Sequence, residues 1–159
     1  MKLLPTELEE VVVIEPRVFQ DPRGFFMETF HRERYEALGL SADFCQDNLS
    51  FSFRNTLRGL HYQYPHGQAK LVQVLQGEIF DVAVDIRRGS PTFGRAVGVS
   101  LSESNRRQLF IPSGFAHGFC VLSATVLFLY KCSDFYAPDC DRGVKWSDPA
   151  LGIAWPVEN

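Results

Sequence analysis

The sequence has no run of apolar residues approaching the roughly 18 that a membrane-crossing helix needs. Its longest candidate, residues 119–130, is shorter and is broken by Ser123 and Thr125. Positive charge is scarce. Sixteen Lys and Arg against 19 Asp and Glu leave a net charge of −3, so there is no basic face of the kind nucleic acid requires. The four cysteines, Cys45, Cys120, Cys132 and Cys140, include no C-x-x-C pair. Neither a zinc ribbon nor a dithiol redox motif is therefore indicated, and Cys120 and Cys132 read as small buried hydrophobes. The start, MKLLPTELEE, lacks the long apolar core and small-residue cleavage site of a secretory signal. A cytoplasmic protein is expected. No low-complexity tract, charge block, linker or internal repeat divides the 159 residues, and one domain over residues 1–159 is expected.

Aromatics are plentiful, and 14 of them are Phe. Phe and Val suit half-buried pleated surfaces, which leans the fold towards β. Short strand-like segments recur at 11–14, 24–30, 56–63, 69–75, 79–86, 95–101, 108–111, 118–122 and 126–132. Turn signals such as Asp21-Pro22-Arg23-Gly24 and Pro65-His66-Gly67 separate them. Many short strands punctuated this way read as a sandwich or barrel. One helix is expected, over residues 31–38 (HRERYEAL), stopped by Gly39. Residues 80–86 alternate with period two: Asp81, Ala83 and Asp85 share one face, and Phe80, Val82, Val84 and Ile86 the other. The Asp81 face points either into a polar barrel interior or to solvent, and alternation alone leaves both open.

Two segments carry chemistry. One is Arg58-Gly59-Leu60-His61-Tyr62-Gln63, followed by Lys70 and Gly77; the other is Pro112-Ser113-Gly114-Phe115-Ala116-His117. Together they resemble the paired motifs of the cupin superfamily. The resemblance implies an all-β, cupin-type jelly roll (a double-stranded β-helix) with one or two short helices. The second motif is complete. The first is altered: metal-binding cupins carry two histidines one residue apart and a glutamate seven before a glycine. Here those places hold His61, Gln63 and Lys70. An ammonium repels a divalent ion at low dielectric, so no metal and no other cofactor is expected, with Lys70 supplying the positive charge. The alternative for Lys70 is a solvated outer face. His31 falls on the charged helix and His66 in a turn. His61 and His117 stand in motif contexts; singly each would more often be structural, but as a matched pair they point to function. A histidine beside a lysine suits proton abstraction next to a carbonyl, with the enolate oxygen stabilised by the cation. Inversion needs an acid on the opposite face. Tyr130 is the candidate, against the plainer reading of a core aromatic with a satisfied hydroxyl.

The chain also resembles the dTDP-4-dehydrorhamnose 3,5-epimerase family. The resemblance is carried by Phe19-Gln20-Asp21-Pro22-Arg23-Gly24, Gln46-Asp47-Asn48, Leu57-Arg58-Gly59-Leu60-His61, Ser90-Pro91-Thr92-Phe93-Gly94, Ile111-Pro112-Ser113-Gly114 and Leu129-Tyr130-Lys131. It implies a homodimeric enzyme that inverts C3, C5 or both of a dTDP-4-keto-6-deoxyhexose through an enolate, in rhamnose-type nucleotide-sugar biosynthesis. His61 would accept the proton, Tyr130 would donate one, and Lys70 would stabilise the enolate. Arg58 and His117 would hold the sugar and phosphate end. Gln46, Asp47 and Asn48 would bind substrate through side chains and backbone. Tyr136 would stack on the thymine, and Asp141 would be an acidic nucleotide contact. Phe19, Arg23 and Glu28 would meet the nucleotide from exchanged N-terminal strands, serving the neighbour's pocket, unless the Arg23 and Glu28 pair is a plain surface turn. The family continues past its Trp-Pro pair to an aspartate that orients the catalytic histidine. The sequence given ends at Asn159, and Asp81 is the carboxylate expected to substitute in part. Two other readings stand beside the epimerase: a metal-dependent cupin enzyme, and a sugar-nucleotide binding protein without activity.

Overall fold

The computed structural model describes residues 1–157. A six-stranded sheet is built from β1 (Lys2–Pro5), β2 (Val12–Glu15), β10 (Gln108–Ile111), β7 (Lys70–Gln76), β12 (Thr125–Cys132) and β5 (Gln46–Phe53), in that order. A five-stranded sheet runs β13 (Asp141–Gly143), β6 (Leu57–Gln63), β11 (Phe115–Val121), β8 (Glu78–Asp85) and β9 (Ala96–Ser102). Every pairing in both is antiparallel. Sequence neighbours β6 and β7, and β11 and β12, fall in opposite sheets. This is the jelly-roll arrangement, and it brings residues of consecutive strands face to face across the interior.

The two inner faces meet over Val72, Ile79, Ala83, Phe119 and Phe128, all buried. The helix α1 (Arg32–Glu36) seats Tyr35 against Ile14, Leu71 and Phe110, and the Tyr35 hydroxyl donates to Gln108 Oε1 at 2.7 Å. Helix α1 is shorter than the 31–38 expected; among the described residues no side chain caps its first turn, and Gly39 at φ +80° ends the turn that follows. On the far side of the five-stranded sheet, Leu60, Val82, Val84 and Ala116 are covered by Val144, Ile153 and Trp155. That cover explains why residues 80–86 alternate: the aliphatic set faces the C-terminal segment, so Asp81 points between the sheets. Asp81 is fully buried.

Strand β5 escaped the sequence reading because its polarity is inverted. Leu49, Phe51 and Phe53 face outward, 60%, 53% and 66% exposed, while Asn48, Ser50 and Ser52 turn inward. Strands β3 (Val18–Asp21) and β4 (Gly24–Met27) form a separate hairpin that joins neither sheet. Both Phe25 and Phe26 on it are largely exposed.

Candidate active site

The site forms between the two inner faces, near the Lys70, Cys132 and Gln46 ends of β7, β12 and β5. Strand β12 puts Tyr130 and Cys132, two residues apart, on the same face. Cys132 pairs across strands with Lys70 on one side and Gln46 on the other; Tyr130 lies between Val72 and Asn48. From the opposite sheet, His61 and His117 are direct cross-strand partners. Simple alternation would send Arg58 and His61, three apart, to opposite faces. The ladder shifts register between them, and both reach the interior. The shift depends on close approach: a Cβ on Gly59, at φ +121°, would meet Gly118 Cα at 2.6 Å and His117 O at 2.7 Å.

Two adjoining cavities result, with wall residues in common. One, of about 330 Å³, is walled by Gln46, Asn48, Cys132, Tyr136 and Asp141. The other, of about 450 Å³, is walled by Ser50, Arg58, His117, Phe119 and Phe128. His61, Lys70 and Tyr130 line both, so an imidazole, an ammonium and a phenol stand at the junction. Burial pushes the His61 imidazole below its ordinary pKa; the Asp141 carboxylate opposes this, and Lys70, His117 and Arg58 reinforce it. Burial also lowers Lys70, against the opposing pull of Cys132, Asp81 and Asp141. It raises Tyr130, which stays a phenol at neutral pH. The shifts thus favour a free base at His61 and an acid at Tyr130, facing the Lys70 amine across the junction. Among the described residues no three His, Cys, Asp or Glu side chains converge, and Lys70 stands where a metal-binding cupin has a carboxylate. That donor set does not suit a divalent ion.

Around this centre the support is specific. His117 Nε2 lies 2.9 Å from both Asp81 carboxylate oxygens, with the side chains 7% and 0% exposed. Phe128 stacks beside His117 at 6.4 Å and packs on Tyr130 at 5.5 Å. Arg58 Nε donates to Ser52 Oγ at 2.9 Å. Asn48 Nδ2 donates to Cys132 Sγ at 3.6 Å.

The dTDP-4-dehydrorhamnose 3,5-epimerase family matches residues 5–159. The chain belongs to that family. It is 55% identical to the dTDP-4-dehydrorhamnose 3,5-epimerase of Shigella flexneri, across 100% of this chain and 89% of that one. The Legionella pneumophila RmlC epimerase, solved in complex with dTDP-4-keto-L-rhamnose, superposes with a TM-score of 0.97 at 54% identity, covering 99% of this chain and 84% of that one. A dTDP-4-dehydrorhamnose 3-epimerase of Streptomyces niveus is 42% identical over 99% of this chain and 77% of its own length. The fold shared with these epimerases is the cupin jelly roll expected from the paired motifs.

Several expected site residues sit elsewhere. Asp81 was expected to orient His61, but it contacts His117, because β11 lies between β6 and β8. Among the described residues no group hydrogen-bonds the His61 ring. Asp47 points away from the cavity that Gln46 and Asn48 line, and its carboxylate pairs with Lys131 Nζ at 2.9 Å; strand alternation forbids all three side chains from entering together. Phe19, Arg23 and Glu28 line neither cavity of their own chain. Arg23 pairs with Asp21 in the hairpin turn, and Glu28 with Arg34. The Ser90–Thr92 part of the family motif is a structural lock: both hydroxyls donate to the buried Asp85 carboxylate at 2.6 Å, and Arg87 Nη2 donates at 2.8 Å.

Other residues of the site were missed. Cys132 is as buried as expected, at 1% exposure, yet it also lines the cavity; counting two on from Tyr130 would have found it. Ser50, whose buried hydroxyl has no partner among the described residues, lines the inner cavity from the strand whose polarity reads inverted.

Proposed function

We propose that this chain is an isomerase that inverts C3, C5 or both of a dTDP-4-keto-6-deoxyhexose, in deoxysugar nucleotide biosynthesis. The observation that carries the reading is the placement of His61, Lys70 and Tyr130 in the wall shared by both cavities, in a chain of this family. The C4 ketone acidifies the hydrogens on C3 and C5. His61, kept neutral by its surroundings, takes one of them. Negative charge then develops on the C4 oxygen, where the Lys70 ammonium stabilises it. Tyr130 returns a proton to the opposite face of the ring, which inverts the centre. Arg58 grips diphosphate oxygens or sugar hydroxyls, a task its planar fork suits. His117, anchored by Asp81, borders the same chamber. Tyr136 and Asp141 receive the nucleotide at the outer mouth.

The proposal includes a homodimer. The hairpin β3–β4 pairs with neither sheet and exposes Phe25 and Phe26, which supports its exchange onto a second copy, carrying Phe19, Arg23 and Glu28 to the partner's nucleotide. It also includes one domain acting as a unit, and a cytoplasmic site of action. Among the described residues no helix is long and apolar enough to cross a membrane.

The test is incubation with dTDP-4-keto-6-deoxyglucose in heavy water, read by NMR. Deuterium is expected at C3, C5 or both, with inversion. Tyr130→Phe separates the two faces. His61 still exchanges the hydrogen it removes and returns it with retention, while inverted product falls by about 10²-fold or more. A His61→Ala variant that exchanges as fast as the parent refutes the assigned base. Binding of dTDP without any exchange identifies a binding protein instead.

A further inference from the structure

We infer that Gln63 is a positioning residue for nucleotide recognition: its carboxamide grips the main chain on both sides of Tyr136 and so fixes where that ring stands at the mouth of the cavity. The inference rests on the reading of Tyr136 as the ring that meets the nucleobase.

Gln63 ends strand β6 and is 6% exposed. Its Nε2 donates to His66 O at 2.8 Å and to Phe135 O at 3.2 Å. Its Oε1 accepts from Ala137 N at 2.8 Å. Both amide hydrogens and the carbonyl are therefore used, on the two residues flanking Tyr136 and on the turn beside them. The Tyr136 side chain makes no hydrogen bond and no aromatic pair among the described residues, and the residue is 55% exposed. Its placement therefore leans on the main chain that carries it. Gln46 Oε1 accepts from Tyr136 N at 2.9 Å, and Gln68 Nε2 donates to Asp134 O at 2.8 Å, but among the described residues only the Gln63 side chain holds both neighbours. Gln63 also occupies the place where a metal-binding cupin carries its second histidine. An imidazole offers at most one donor and one acceptor when neutral, too few for these three bonds. With no ion to bind, that place is free to organise the loop.

Without Gln63 the loop must be ordered on binding. Immobilising one such segment weakens affinity by about tenfold, and the weakening acts on binding rather than on the proton transfers. The experiment compares Gln63→Leu, Tyr136→Ala and the double variant in dTDP titration calorimetry, with kcat and KM from the exchange assay. The expected result is that Gln63→Leu raises the dTDP Kd and the KM about tenfold, with kcat within about twofold of the parent. The double variant is expected to bind no worse than Tyr136→Ala alone, within about twofold, because Gln63 then has no ring left to position. Unchanged kcat also reports that the variant is folded. Losses that multiply in the double variant, or a Gln63→Leu variant that lowers the melting temperature and leaves Kd unmoved, overturn the inference alone. Undiminished dTDP affinity in Tyr136→Ala overturns the reading of Tyr136, and the inference with it.

Discussion

Replacing Lys70 by Met isolates the charge on which the chemistry turns. Met fills a similar volume, so the perturbation is the loss of one ammonium. In the free protein no carboxylate forms an ion pair with Lys70 among the described residues, and burial is the main cause of its lowered pKa. An ammonium held this way costs folding free energy. Its removal is expected to stabilise the fold by about 1 kcal/mol, or about 2–4 °C in melting temperature for a domain of this size. The folded pKa lies below the unfolded value near 10.5. The penalty is thus fully present below the folded pKa and fades as pH rises from there towards 10.5, where the unfolded chain also loses the proton. Catalysis moves the other way. An ammonium about 4 Å from an enolate oxygen, at an effective dielectric of about 20, contributes about 4 kcal/mol, or about 10³ in rate. Solvent deuterium exchange into the 4-keto sugar is therefore expected to fall about 10³-fold, with dTDP affinity little changed. Exchange within tenfold of the parent would show that the charge does not act on the enolate. A lower melting temperature would show that its burial is not a penalty.

Two further outcomes follow from the same electrostatics. The acid limb of kcat/KM is expected below pH 6.5, the ordinary value for histidine, because burial and the cations around His61 favour its neutral form; a limb above 6.5 would contradict this. Asp85→Asn is expected to lower stability by about 2–3 kcal/mol, because Asp85 is fully buried and holds Arg87, Ser90 and Thr92. Those partners hold its carboxyl well below the usual carboxylate range. The stability is present above the unfolded value of 3.8 and is lost as pH falls below it towards the folded pKa. Thermal melts of parent and variant should converge in strong acid, while dTDP affinity stays the same.

Spacing along the chain determined much of this protein. The two motif histidines, and a lysine seven residues before Gly77, can be read from residue types and intervals. The alternation of residues 80–86 also read correctly as one apolar face and one acidic face. Sequence could not say which face of that strand was inside, since a sheet covered on both sides has two interiors. That was decided by the C-terminal segment laying Ile153 and Trp155 over Val82 and Val84. Nor could it assign the partner of Asp81. Strand order is a long-range property, and the interposed β11 gave Asp81 to His117. The Arg58–His61 pair faces one cavity only because the strand slips register at two closely packed glycines. Strand β5 reads backwards because a cavity lined for a polar ligand reverses the usual rule of apolar residues inside. Local pattern records which side chains share a face; what that face meets depends on strands far apart in the chain.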